Sequence, residues 1–439
     1  MAEFESWSPW VEKPEKLHAP VEGEIKADIV IIGGGYTGLN TALNLRESGV
    51  DVALLEKDYC GAGASGRNAG HLTPTIGKDF PTLVQYFGKK KAVDYARFAE
   101  RAVLHTESII KKYNIACDYQ AVGNIIAGVH DSHYEKLENM FKLSSSLGIN
   151  NQFLNEKEVR RRKLPPFVKF GVLEPHGGLM NPGKYLQGLR RAAAEAGVRI
   201  YEQTPVKNYK SDGGQMRVET QNGSVSADKV IVASNAYTPV TLGKKKARLF
   251  PMRVTLFRTP KLNPTQREAL QWPGEEGIYT SHEALENYRL TADGRLSGGS
   301  KFVQYAYGSN LAEGHRPDIF KQWQAVFAQR FSHVPDLQIE TFWGGWIGIT
   351  LDFIQHLQVE NKGKLIYGVG FNGHGIAQGT MFGTLLADMA LGQQNADVDL
   401  FKRRTFPLPP EPLRWLVVKG LTGFYDRQDR KIDADLAAG

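Results

Sequence analysis

Cysteine is scarce in this chain: Cys60 and Cys117 are the only two in 439 residues. Two thiols in a chain of this length make neither a disulfide framework nor a metal site, so no metal is expected and a reducing compartment suits them. Long hydrophobic runs are missing too. No segment approaches the ~20 apolar residues of a membrane span. The opening MAEFESWSPWVEK is acidic and lacks the apolar core of a secretory signal, which makes the cytoplasm the expected compartment. Nor is there a long block of one charge. The net charge is +7, but it is scattered. The short clusters Lys89 to Lys91, Arg160 to Lys163 and Lys244 to Lys246 read as solvated faces. No nucleic-acid motif is present, so no such partner is expected, and no internal repeat stands out. What remains is a globular chain long enough for a large core and two or more domains.

Glycine, by contrast, is placed with purpose. In ADIVIIGGGYTGLNTALNLRESGVDVALLE, Ala27 to Glu56, the apolar run Ile29 to Ile32 reads as a buried strand. Gly33, Gly35 and Gly38 follow with GxGxxG spacing, Thr41 to Arg46 reads as a helix, and Val52 to Leu55 as a second strand. Gly33 allows the tight turn, Gly35 lets a pyrophosphate approach the backbone, and Gly38 lets the helix pack on the strand. The helix start, with Tyr36 and Thr37, offers unpaired N–H groups to phosphates. Glu56, followed by Lys57, can accept hydrogen bonds from a ribose diol. A lone GxGxxG is weak. Strand, glycines, helix, second strand and terminal acid in this order point to a dinucleotide in a Rossmann-type α/β unit.

Two further glycine segments sharpen this. GAGASGRNAGHL, Gly61 to Leu72, follows Glu56 almost at once. Ala64, Ser65, Asn68, Ala69 and Gly70 let backbone approach a ligand closely, and Arg67 can neutralise a pyrophosphate. YGVGFNGHGIA, Tyr367 to Ala377, places Gly370, Gly373, His374, Gly375 and Ile376 before an apolar helix. Such a helix start can aim N–H groups at an electron-rich ring edge. His374 is read here as a cofactor contact.

Together the three segments resemble the D-amino-acid-oxidase-like family of FAD-dependent amine oxidoreductases, which includes sarcosine and glycine oxidases, over about residues 25 to 395. GASGRNAG, NYRLTADGRLSGG at 287 to 299 and WGGWIGITLD at 343 to 352 look most similar to the gamma-glutamylputrescine oxidase-like branch. The resemblance implies a Rossmann-type FAD-binding domain with a discontinuous antiparallel-sheet substrate domain. It also implies that Val206 lines the adenine pocket through its backbone and that Ala233 and Asn235 lie near the FAD. Some members attach flavin through a histidine, where Arg67 stands here, or through a cysteine that WGGWIGITLD lacks. Non-covalent FAD is therefore expected. Sarcosine-oxidase-like members hold a substrate carboxylate with an arginine soon after the second glycine segment. HLTPTIGK, His71 to Lys78, has none, which argues against an N-methyl amino acid.

The domain expectation is an arm at 1–25, an FAD domain from 26–85, 150–240 and 341–395, a substrate domain from 86–149 and 241–340, and an extension at 396–439. The family chemistry oxidises a C–H bond beside an amine nitrogen; the imine then hydrolyses to aldehyde and amine. Tyr288, Trp343 and Trp346 are candidate walls of an apolar amine cage, although for each alone core packing is the preferred reading. His71 faces either the flavin or solvent. Lys301 lies near flavin N5, as in some members, or on the surface, where lysines mostly sit; the surface is the preferred reading. The tail PPEPLRWLVVKGLTGFY, Pro409 to Tyr425, either packs on its own domain, the preferred reading, or docks on an anionic membrane. Three functions stay open: an amine oxidase using oxygen, with an acylated polyamine as one candidate substrate; a dehydrogenase passing electrons to quinone; and a flavin-binding subunit without independent amine oxidation. The oligomeric state is not legible.

Overall fold

The computed structural model describes residues 3–12, 14, 16–238, 249–312, 316–403 and 408–438. The Lys244 to Lys246 cluster lies outside the described residues.

The glycine-rich start builds a parallel sheet. β2 (Gly23–Ile32), β3 (Val52–Leu55), β9 (Arg199–Tyr201), β12 (Gly223–Val232) and β20 (Leu365–Val369) run parallel in the order β9–β3–β2–β12–β20. β19 (His356–Glu360) closes it antiparallel to β20. Val30 and Ile31 are both fully buried although they point to opposite faces; a strand covered on both sides needs such a continuous apolar run. In sequence, 223–227 and 229–233 read as two strands. They form one, because its first half pairs with the hairpin of β10 (Asn208–Asp212) and β11 (Gln215–Glu219) and its second half with β20.

Helices α1 (Tyr36–Glu47), α2 (Phe80–Lys112), α5 (Pro182–Glu195) and α8 (Gly375–Leu391) bury Leu39, Phe98, Leu189 and Leu386 in one core on this sheet. Apolar spacing predicts a helix over 90–114. It starts at Phe80, where Asp79 caps it by accepting the Thr82 N–H at 2.9 Å, and Gly88 (φ 79°) kinks it. α2 therefore packs with the parallel-sheet layer, whereas the sequence reading placed 86–149 in the substrate domain.

The second layer is a large, mostly antiparallel sheet. Its path is β1 (Glu3–Phe4), β18 (Thr341–Ile349), β13 (Phe250–Lys261), β16 (Arg295–Gly299), β15 (Asn287–Leu290), β14 (Gly277–Thr280), β5 (Asn124–Gly128), β7 (Phe170–Glu174) and β6 (Gln152–Leu154), with β17 (Gln304–Tyr305) on β13. β6, β7 and β18 thus leave the domain assigned to them from sequence: strand periodicity gives a strand but not its sheet. α6 (Pro264–Leu270) and α7 (Pro317–Arg330) cover one face, where Phe257, Trp323, Phe327 and Phe342 cluster. Smaller elements complete the fold: β4 (His71–Leu72) paired with β8 (Gly178–Leu179), α3 (Tyr134–Ser146), α4 (Glu156–Arg161) and α9 (Ala396–Phe401). The chain closes with α10 (Leu413–Ala438). No helix among the described residues is long and apolar enough to cross a membrane.

Candidate active site

A cavity of about 940 Å³ runs between the two sheets, bordered by all three glycine segments. Its size is near the top of the ~300–1,000 Å³ range of ligand pockets. At one end lies the β2–α1 turn. Gly33 has φ 114°, and a Cβ there would stand 2.8 Å from the Ala233 carbonyl oxygen at the end of β12. Gly35 lines the cavity as the N-cap of α1, with no side-chain cap and no acid in the first turn. The helix start can meet an anion, although Ser65 Oγ already accepts the Tyr36 N–H at 3.2 Å. Gly38 does not line the cavity. A Cβ there would fall 1.9 Å from the Gly33 carbonyl oxygen, so this glycine lets α1 seat on β2. Glu56 ends β3 in the cavity wall and accepts the N–H groups of Gly34 (2.7 Å) and Asp58 (3.1 Å). Burial raises its pKa, and those two bonds oppose the rise. Tyr36, Thr37, Lys57, Val206, Ala233 and Asn235 line the same end.

Of the second segment, Ala64, Ser65, Arg67, Asn68, Ala69, Gly70 and His71 all line the cavity. Arg67 differs from expectation in what it does. Its Nε donates to Ala62 O (2.7 Å) and its Nη1 to Gly344 O (3.0 Å), tying the segment to β18 instead of reserving those donors for a pyrophosphate. A residue that the sequence did not single out completes the clamp: buried Arg289 donates to the carbonyls of Ala69 (3.1 Å), Gly70 (3.1 Å) and Met180 (2.5 Å).

In the third segment, Gly373, His374, Gly375 and Ile376 line the cavity at the start of α8, which also lacks a side-chain cap. Gly370 does not; it packs against Thr350 and donates its N–H to Asn235 Oδ1 at 2.9 Å. Burial lowers the His374 pKa to about 4.

His71 lines the same cavity. Asn124 donates its Nδ2 to Leu72 O at 2.9 Å, so its Oδ1 accepts from His71 Nδ1, also at 2.9 Å. That network assigns the Nδ1–H tautomer, and Nε2 has no partner among the described residues. Burial, then the Arg289 charge, lower its pKa to about 3. The ring is neutral.

The substrate candidates separate. Trp346 lines the cavity. Trp343 does not: its Nε1 donates to Arg67 O at 3.0 Å, and its ring meets Trp10 edge-on, centroids 5.7 Å apart. Tyr288 does not either. Alternation along β15 turns Asn287 to the cavity and Tyr288 to the core, where it donates to Glu286 at 2.8 Å and packs on Phe331. Lys301 is neither at the surface nor in the cavity wall. Ser300 (φ 85°) turns the chain, and the buried Lys301 Nζ lies 2.6 Å from Glu286 and 3.0 Å from Asp433.

Several lining residues carried no sequence signal. Tyr279 faces the cavity and donates its hydroxyl to Glu174, whose pKa burial raises to about 7. Lys78, Glu283 and Asp426 bring charge to the wall. Neither cysteine is among the lining residues.

A family model described as FAD dependent oxidoreductase (DAO) matches residues 28–389. A probable oxidoreductase OrdL of Rhizobium meliloti (strain 1021) is 30% identical over 413 residues, 92% of each chain. Gamma-glutamylputrescine oxidoreductase of Escherichia coli (strain K12) is 29% identical over 376 residues, 84% of each chain. The crystal structure of glycine oxidase from Geobacillus kaustophilus shares the fold, with TM-score 0.72 at 20% identity over 87% of this chain and 100% of that one.

Proposed function

The chain belongs to the DAO family of FAD-dependent oxidoreductases, and we propose that it oxidises an amine at a carbon beside nitrogen, holding its FAD without a covalent bond. The observation that carries this reading is one continuous cavity joining an open helix N-terminus and a ribose-type acid to a wall of His71, Tyr279 and Trp346. The Gly33 and Gly35 cradle, where a Cβ would meet its neighbour at 2.8 Å in both cases, fits a cofactor diphosphate. Gly33, Gly35, Tyr36 and Thr37 would hold that part and Glu56 the ribose. Val206 and Lys57 would border the adenine end, and Ala64 to Gly70, Ala233, Asn235 and Gly373 to Ile376 the remainder.

When bound, FAD supplies the two-electron acceptor. The chain's own part is placement. Neutral His71 Nε2 accepts an N–H bond from the uncharged amine. Trp346 and Tyr279 shape the wall and keep water from the reacting carbon. The amine gives up a hydride equivalent and a proton, and the imine hydrolyses to aldehyde and amine.

The finer reading is oxygen as acceptor and a substrate of the gamma-glutamyl-polyamine kind. Arg67 is the one arginine among the described lining residues, and it has donors committed to two backbone carbonyls. This supports a substrate other than a compact amino acid held by an arginine. Lys78 remains as a cation for a distant carboxylate. A second reading, transfer of electrons to quinone at a membrane surface, is favoured by one observation: Leu413, Leu416, Val417 and Phe424 are exposed along α10. The two buried free thiols suit a reducing cytoplasm. The test is anaerobic bleaching of the 450-nm-region flavin band by an amine panel. No bleaching by any amine overturns amine oxidation; hydrogen peroxide formed in air separates oxygen from quinone.

A further inference from the structure

We propose that α10 is the specificity wall of the active site and sets the length of amine it accepts. The inference rests on the amine-oxidising reading above. α10 lies wholly beyond the residues matched to the family, 28–389, so the family's common fold does not supply it. Yet Val418, Leu421, Thr422, Tyr425 and Asp426 line the cavity. Their spacing is one face of a helix, so about two turns of one side of α10 are turned to the site.

The helix is held there at both ends. Upstream, the Glu411 carboxylate accepts the Tyr305 hydroxyl and the Gly308 N–H (3.2 Å), and Val418 packs against Phe250 and Met252 of β13. Downstream, Asp429 accepts the N–H groups of Glu283 (3.1 Å) and Ala284 (2.9 Å), two residues that themselves line the cavity. Asp433 pairs with buried Lys301 and Arg330 at 3.0 and 2.9 Å. Helix and loop are thus joined in one wall, and a change in α10 reaches the site directly.

The wall is apolar at Val418, which clusters with Phe250 and Met252, and at the half-exposed Leu421. Thr422, Tyr425 and Asp426 follow as its polar end. This sequence of surfaces fits an amine carried on an aliphatic chain of several carbons with a polar end group, rather than a compact amino acid.

The experiment uses the FAD-loaded full chain, with Leu421→Trp to fill the wall and Leu421→Ala to open it. Anaerobic flavin bleaching is read with methylamine and a series of longer n-alkylamines and diamines. Leu421→Trp is expected to lower kcat/KM for the long amines at least about tenfold more than for methylamine, and Leu421→Ala to shift preference the other way. Equal changes for all amines overturn the proposal. Independently of turnover, hydrogen exchange is followed across 413–430 with and without a saturating long diamine. Protection there is expected; unchanged exchange overturns the proposal. If no amine bleaches the wild-type flavin, the amine-oxidising reading falls, and the exchange result alone decides the role of α10 as a wall.

Discussion

Lys301 Nζ lies 3.0 Å from Asp433 Oδ2, joining the loop after β16 to a helix 132 residues further along the chain. The pair belongs to a buried group in which Lys301 and Arg330 face Glu286 and Asp433. Two cations meet two carboxylates. His282 beside them stays neutral, its pKa lowered to about 3 chiefly by burial, so the group has no net charge.

Removing one carboxylate breaks that balance. Asp433→Ala leaves Lys301 and Arg330, whose side chains are 4% and 2% exposed, with one carboxylate between them and a net positive charge. The expected cost is about 1–3 kcal/mol, below the full value for a buried pair because Asp433 is itself partly exposed. Melting temperature and early proteolytic cleavage within 413–438 check it. Adding Lys301→Met to Asp433→Ala should cost less than the sum of the single changes.

Two glycines of one turn should fail differently. Gly38→Ala pushes a Cβ to 1.9 Å from a backbone carbonyl, which cannot move without lifting α1 off β2. A stability loss of about 1–3 kcal/mol is expected together with lost flavin. Gly35→Ala meets only the Ser65 hydroxyl, at 2.8 Å. The apoprotein's melting should change little while FAD affinity drops at least about tenfold, since the methyl stands where a diphosphate must approach. Melting curves and fluorescence titration with FAD separate the two.

Glu174 gives stability a pH dependence. Burial raises its pKa to about 7, with the Tyr279 hydroxyl opposing. A carboxyl whose folded value lies above its unfolded one contributes fully below the unfolded value, and the contribution is lost as pH rises through the folded value. The window is therefore about pH 4.5 to 7, with an upper bound of roughly 3 kcal/mol. Glu174→Gln should melt near wild type at pH 5 and above it at pH 8. A difference independent of pH between the two would sink this account.

His71 and His374 should be silent in the pH profile. Burial holds their values at about 3 and 4, so neither titrates between pH 5.5 and 9. His71→Gln is expected to slow amine-dependent flavin reduction about tenfold or more while leaving the shape of that profile unchanged. Loss of a limb in the profile of the variant would contradict a neutral His71.

The local chemistry of the nucleotide end was legible because it depends on neighbours in sequence. Gly33, Gly35 and Glu56 stand in one strand–turn–helix–strand unit, and that geometry allows few other residues. The helices behind these glycines were readable too, although sequence spacing put the first at Thr41 and it starts at Tyr36. What the sequence could not carry was facing and partnership. Tyr288 and Asn287 are adjacent, yet the pleat sends one to the core and the other to the cavity. Lys301 looked like a surface residue because its counter-charges, Glu286 and Asp433, come from two separate stretches of chain, and Arg330, which shares them, from a third. Arg67 looked free to meet a phosphate until β18 brought the Gly344 carbonyl within 3.0 Å. Short-range steric rules wrote the cofactor cradle into the sequence; long-range packing, which no local pattern encodes, decided the substrate wall.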